Sequence, residues 1–338
     1  MSELYYDVVT VGSATIDVFA YSDKSEIIEI RSPKHNIEFI TYPLGSKLAL
    51  NEISYELGGG GTNTAATFTK LGFKTAFVGQ VGGDFIGKEI LKHIKLHNIE
   101  FCGIIRQKES SSFSIVLDSV EKDRTILAYK GVSNNPVKDT ELVDALLYYY
   151  TSPGEEGINA YEKHMEMVHK NRSHIAFNPS SYIASLGAEK IKNLLNKTDI
   201  LVLNAEELSL LSKDLVMKKG LDYTVREGIK LLHSYGPQKI AVTNGKKDVY
   251  ASDGHHIYHS PIRKTKAVEA TGAGDCFGAT FAGMLIRKHT IKDALDYALI
   301  NSASVVSFRG PKNGLLTMEQ LNIVKKRVEP LKAMKYDI

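Results

Sequence analysis

Glu269-Ala270-Thr271-Gly272-Ala273-Gly274-Asp275-Cys276-Phe277-Gly278 is the stretch on which the reading of this 338-residue chain turns. Residues 279–287 follow it, apolar and rich in small side chains, in the pattern of a buried helix. Gly272, Ala273 and Gly274 let several backbone N–H groups point one way at the start of that helix. Such donors, with the helix dipole behind them, make an anion site. A carboxylate at Asp275 is expected to stay ionised beside it and can accept the proton of an attacking hydroxyl. The plainer alternative is an ordinary Gly-rich turn with Asp275 as helix N-cap. Other segments must decide.

Upstream of the turn, residues 174–177, 200–203 and 239–243 are short apolar runs set between helical patterns from residue 139 onward. That alternation predicts a parallel sheet covered by helices. Near the start of the chain, residues 6–11 read as a buried strand that stops at Gly12, and 75–79 as a second. Helical stretches are expected at 64–71, ended by Gly72, and at 84–97. Twice the character changes to β. Residues 27–30, 37–41 and 48–55, then 101–105, 112–117 and 125–129, carry β-branched and aromatic types, with a polar turn at 121–124. The expected organisation is an α/β body with β-rich insertions at roughly 18–57 and 99–130 that fold over a site as a lid.

Composition narrows the function classes. A hydrophobic fraction of 43% and a charged fraction of 24% are those of a globular chain. The net charge of +3 is spread out, and the densest basic run, Arg263-Lys264-Thr265-Lys266, is short, so no nucleic-acid partner is expected. Two cysteines, Cys102 and Cys276, make neither a disulfide framework nor a metal site, and the eleven histidines lack ligand spacing. No apolar run approaches the ~18 residues of a membrane span, and residues 1–7 lack the apolar region of a leader, so the cytosol is the expected compartment.

Three further motifs sit where ligands bind. Gly58-Gly59-Gly60-Gly61-Thr62-Asn63 would bring backbone close to a ligand, with Asn63 able both to donate and to accept. A flexible hinge is the alternative. Asn204-Ala205-Glu206-Glu207 follows the strand at 200–203, at the edge where parallel sheets bind ligands, and is equally a capping box in form. Thr243-Asn244-Gly245 lies just past another strand.

Together these residues resemble the ribokinase-like (PfkB) carbohydrate kinases over nearly the whole chain. Gly58 to Asn63 resembles the N-terminal signature of that family and Ala270 to Asp275 its C-terminal one. The resemblance implies a single ribokinase-like domain over 1–338, with a three-layer α/β/α body and a small β-sheet lid. It implies an ATP- and Mg²⁺-dependent kinase acting on a hydroxyl of a sugar or sugar derivative, with Asp275 as catalytic base and Gly272, Ala273 and Gly274 around the transferred phosphoryl group. By the same similarity, Asp17, Gly58, Gly59 and Asn63 would hold substrate. Asn204, Glu207, Thr243, Gly245, Thr271 and Asn301 would line the nucleotide side, with Glu207 reaching Mg²⁺ through water. A monovalent cation is possible near Glu269, which stands where the family often has Asp. Gly60 and Thr15 replace the Lys and Asn usual in ribokinases proper, which turns the expectation away from ribose.

Rival expectations are a nucleoside kinase of the same fold, with Phe39, Tyr42 and Phe113 walling the base, and a catalytically silent ligand-binding relative. A dinucleotide-binding dehydrogenase ranks lower, since residues 58–61 are not Gly-x-Gly-x-x-Gly. A phosphorylated acceptor would need a cationic cluster, for which Lys130 and Arg124 are the candidates; Tyr129 and Lys130 could touch substrate. An exposed lid edge could pair with a second copy, making a homodimer.

Overall fold

Strand β1 (Tyr6–Val11) anchors the architecture, with all but Asp7 of its six residues buried. The computed structural model describes residues 6–24, 26–31, 36–118, 124–151, 153–219 and 225–338. After β1 the chain leaves the body for β2 (Thr15–Tyr21), β3 (Glu26–Arg31), β4 (Asn36–Thr41) and β5 (Glu52–Gly58). Helix α1 (Gly60–Lys70) brings it back, followed by β6 (Thr75–Val78), β7 (Gln80–Gly82), α2 (Phe85–Leu96), β8 (Glu100–Phe101) and β9 (Ile104–Arg106). A second excursion forms β10 (Ser112–Asp118) and β11 (Arg124–Tyr129). From β12 (Ala145–Tyr150) strands and helices alternate: α3 (Ile158–Lys170), β13 (His174–Phe177), α4 (Ser181–Ser185), α5 (Lys192–Leu195), β14 (Ile200–Asn204), α6 (Ala205–Lys219), α7 (Val225–His233) and β15 (Lys239–Asn244). The hairpin β16 (Asp248–Ser252) and β17 (His256–Pro261) precedes α8 (Ala273–Ile286), α9 (Ile291–Val305), α10 (Met318–Arg327) and β18 (Met334–Asp337).

Ten of these strands form one sheet in the order β18-β17-β16-β15-β14-β13-β12-β1-β6-β8. It is parallel from β15 to β8 and antiparallel from β15 outward to β18. The strands that follow β1 go first to one side (β6, β8) and then to the other (β12 to β15). That reversal opens a crevice beyond the carboxyl ends of β1 and β12. Side-chain alternation along β12 feeds both covering layers. Tyr148 and Tyr150 pack with Tyr161, Ile175 and Leu208 on one face, while Leu147 and Tyr149 pack with Phe68, Phe277 and Phe281 on the other.

Helix α8 is buried along nine consecutive residues, Cys276 through Met284. A helix apolar all round belongs in an interior. Gly278 lets it lie against the sheet, since a Cβ there would sit 2.2 Å from the Tyr149 hydroxyl. The lid is a separate four-stranded sheet in the order β11-β10-β2-β5, and β3 pairs antiparallel with β4 in a two-stranded sheet of its own. A third apolar cluster under the lid joins Ile16 and Leu57 to Phe77 and Ile90.

Several element bounds differ from the sequence expectation. The first helix starts at Gly60, four residues ahead of the expected start, because Gly59 turns the chain at φ 95° and α1 packs directly on the end of β1. A Cβ on Gly61 would lie 2.5 Å from the Phe77 ring. The strand expected at 48–55 runs from Glu52 to Gly58. The run expected at 101–105 is split, with β8 on the main sheet and β9 paired to β7, so this stretch belongs to the body while 112–118 and 124–129 carry the lid. The polar turn expected at 121–124 lies, for residues 121–123, outside the described residues.

Candidate active site

A cavity of about 620 Å³ occupies the crevice at the strand reversal. Ser13, Thr151, Asn178 and Glu207 line it from the ends of β1, β12, β13 and β14; Thr15, Ser112 and Lys130 line it from the lid; Asp275 lines it from α8. Nine of the lining residues carry hydroxyl or amide side chains, the groups that hydrogen-bond a polyol.

Gly272 caps α8 in the left-handed conformation, φ 75°, and a Cβ there would lie 2.5 Å from Pro311. Both requirements select glycine. The Ala273 N–H is used by the Ala270 carbonyl at 3.2 Å. The amides of Gly274 and Asp275 belong to the first helical turn, which has no intrahelical acceptors to offer them. A Cβ built on Gly274 meets nothing within 4 Å, so the turn faces open space there. Asp275 is thus a first-turn residue and not the N-cap. Burial pushes its carboxyl above the usual range, with an Asn63 hydrogen bond and the Lys312 charge pulling the other way. The two neighbours that favour its ionised form are therefore Asn63 and Lys312. Asn63 Nδ2 donates to Asp275 Oδ2 at 2.9 Å, and Lys312 Nζ donates to Asn63 Oδ1 and to the Leu57 carbonyl.

The glycines before Asn63 serve close approach. Gly60 and Gly61 place their N–H groups 3.2 and 3.1 Å from Ser13 Oγ and Ser13 O. A Cβ on Gly59 would lie 2.5 Å from Ser13 O, and one on Gly58 would lie 2.0 Å from Asp17 Oδ2. Asp17 is held from the lid side, where its Oδ1 accepts from Ser114 Oγ at 2.5 Å and Thr15 Oγ1 at 3.1 Å. Asp17 does not itself border the cavity, although its neighbours Thr15 and Gly60 do.

On the far side, Asn204 and Glu207 form the reciprocal box. The Asn204 N–H donates to Glu207 Oε2 at 2.9 Å and the Glu207 N–H to Asn204 Oδ1 at 2.8 Å. Capping does not consume the whole carboxylate, since Glu207 also lines the cavity, and burial pushes its carboxyl up to about 7. Thr243 pairs in register with Asn204 across β14 and β15, and Gly245 follows at φ 57° with open space around it. Thr271 stands at the mouth of the α8 turn, partly exposed. Asn301 is elsewhere. It is fully buried, its amide donating to Thr280 Oγ1 at 2.9 Å and accepting from the Leu316 N–H at 3.0 Å, so its contacts join α9 to α8 and the next loop instead of a nucleotide. Phe39, Tyr42 and Phe113 do not line the cavity either; Phe113 packs on Tyr129 with ring centroids 5.8 Å apart.

Sequence reasoning missed Lys312, Asn178 and the acidic pair Glu155 and Glu156 at the cavity rim. A lysine in Gly310-Pro311-Lys312-Asn313 reads as a solvated loop residue, and nothing local signals that it turns inward.

A polar cavity at a strand reversal, faced by a helix N-terminus and a carboxylate, defines an α/β enzyme built to hold a small hydroxylated molecule against an anionic group. The profile of the pfkB family carbohydrate kinases matches residues 6–318, and the chain belongs to that family. It is 28% identical over 327 residues to a ribokinase from Bacillus subtilis (strain 168), covering 93% of this chain and 98% of that one. Among solved structures, a ribokinase from Arabidopsis thaliana complexed with ribose and ATP aligns with a TM-score of 0.75 at 20% identity, over 95% of this chain and 99% of that one. A nucleoside kinase from Methanocaldococcus jannaschii aligns with a TM-score of 0.74 at 16% identity, over the same shares. The chain is an ATP-dependent phosphotransferase of the carbohydrate kinase type.

Proposed function

We propose that this kinase phosphorylates a hydroxyl of a neutral sugar or sugar derivative, with Asp275 accepting the hydroxyl proton. The observation that carries the reading is Asp275 itself, bordering the cavity beside the open Gly274 turn and held by Asn63. Phosphoryl transfer needs preorganised donors where charge grows on the transferred oxygens, and the amides of Gly274 and Asp275 supply them. ATP would lie with its phosphates against that turn and its base toward Thr243 and Gly245. The acceptor would sit between Ser13, Asn63 and the lid, with Asp17 behind. Lid closure would exclude water that otherwise consumes ATP.

Magnesium fits the donor set. Glu207 is a buried carboxylate facing the cavity, and no group of three or more His, Cys, Asp or Glu placed to hold a metal ion by themselves occurs among the described residues. Such a site suits an ion that takes most of its ligands from phosphates and water. Glu207 would hold Mg²⁺ through water, and the ion would supply neutralising charge at the phosphates. Any monovalent-cation dependence would centre on the region of Glu269, buried near the same turn.

A neutral acceptor follows from the charges at the rim. Lys130 is the one cation among the described lining residues, against Glu155, Glu156, Glu207 and Asp275. A phosphorylated acceptor would meet net repulsion. A nucleoside acceptor is the second reading, favoured by Tyr182, Pro153 and Pro179 on one wall of the cavity. Incubation with ATP, Mg²⁺ and a panel of pentoses, hexoses, sugar phosphates, keto-deoxy acids and nucleosides tests both, with ADP release and product mass as readouts. Turnover of a free sugar well above any sugar phosphate is the expected result; turnover of nucleosides alone would replace the reading by the second.

A further inference from the structure

We propose that Lys312 is a positioning residue for the transfer reaction: it fixes the orientation of the Asn63 amide so that its N–H faces Asp275, and ties that pair to the root of the lid. The inference rests on Asp275 being the base.

The hydrogen bonds run in one direction. As an ammonium, the form that the Asp275, Asp17 and Glu56 charges favour, Lys312 Nζ is a donor only, so the Asn63 atom it contacts is the oxygen, leaving Nδ2 to donate to Asp275 Oδ2 at 2.9 Å. A flipped Asn63 would set its NH₂ against the ammonium and its oxygen against the carboxylate, two repulsions in place of two hydrogen bonds. The second acceptor of Lys312 is the Leu57 carbonyl, one residue before the Gly58-Gly59 turn through which lid strand β5 enters α1. One ammonium thus joins the lid root, the start of α1 and the first turn of α8.

Its own loop is fastened to the same turn. Pro311 packs against Gly272, and the Gly310 N–H donates to Glu269 Oε2 at 3.0 Å. Lys312 is only 9% exposed, and burial pushes its ammonium down to about 7, with Asp275, Asp17 and Glu56 opposing that shift. His97, at the end of α2, feels the same charge and is pushed down to about 4, chiefly by burial. A methionine would fill this volume without desolvating a charge. A packing role alone therefore leaves the lysine unexplained, whereas supporting the Asn63–Asp275 pair accounts for its position and its charge.

The test is a double-mutant cycle in the full chain. Lys312→Met is expected to lower kcat roughly 10- to 100-fold while leaving the KM for ATP within about threefold and the melting temperature unchanged or raised. In an Asp275→Asn background the same substitution is expected to cost less than about threefold, because the carboxylate it serves is gone. Unchanged kcat in Lys312→Met, or equal losses in both backgrounds, would overturn the proposal. Should the methionine variant fail to fold, Lys312→Leu, which likewise removes the donor, is read the same way. Failure of the underlying reading is separable: full turnover in Asp275→Asn alone removes the base assignment, whereas an impaired Asp275→Asn beside a fully active Lys312→Met removes only the lysine.

Discussion

Burial pushes the Glu207 carboxyl up to about 7, opposed by the Asn204 N–H and reinforced by the charges of Glu206 and Asp275. A folded-state value above the unfolded one means that the neutral carboxyl stabilises the fold below about 4.5, and that this contribution is lost as pH rises through about 7. Glu207→Gln, which keeps the size and an oxygen for the Asn204 N–H, is therefore expected to raise the melting temperature by a few degrees at pH 8 and by nothing at pH 5. Differential scanning calorimetry at the two pH values checks the sign. The same variant is expected to weaken Mg²⁺-dependent activity, a cost of stability kept for function. Individual site residues were legible in the sequence where a motif constrained them. Asp275 and Asn63 stand out because small residues surround each, and they meet at 2.9 Å across 212 positions of sequence. Lys312 does not, because its role comes from the direction of one side chain. Asn301 was misplaced for the same reason: an asparagine on a helix does not announce whether it faces a ligand or the next helix.

At the scale of elements, the first turn of α8 would carry the proposed anion site, and its two glycines do different work. Gly272 is fixed by backbone conformation and by Pro311, whereas Gly274 faces open space. Gly274→Ala is therefore expected to leave the melting temperature within about 2 °C, since alanine is also the better helix former. Its methyl group would nevertheless stand where the transferred phosphate must come, and kcat/KM is expected to fall at least tenfold. A loss of stability with unchanged kcat/KM would show that the turn serves the fold and not the ligand. Elements were read well where periodicity was strong, as in the alternating strands and helices after residue 139. The start of α1 was not, because four consecutive glycines argue locally for a loop and only packing against Ser13 and Phe77 makes two of them helical.

For the whole molecule, the alternation of apolar strands and helices sufficed to predict a parallel sheet, and two β-rich stretches a second one. Which strands pair could not be read, since a short β-rich run does not name its partner; hence β8 and β9 sit on the body. The face of the lid that carries Ile16 and Leu57 also carries an apolar row, where Tyr55, Val18, Ile115 and Leu127 lie side by side across the four strands in register. Tyr55 is 61% and Leu127 53% exposed. Such a row on a sheet with open edges supports a homodimer through the lid. Light scattering is expected to give twice the monomer mass, and Tyr55→Lys with Leu127→Lys to return it to one; a monomeric parent chain would remove the proposal. Sheet, lid and helix terminus all converge on one carboxylate, so Asp275→Asn tests the account most directly. Turnover at saturating ATP and sugar is expected to fall at least ~100-fold while the Kd for ATP, measured by calorimetry, stays within about threefold. Turnover equal to that of the parent enzyme would contradict it.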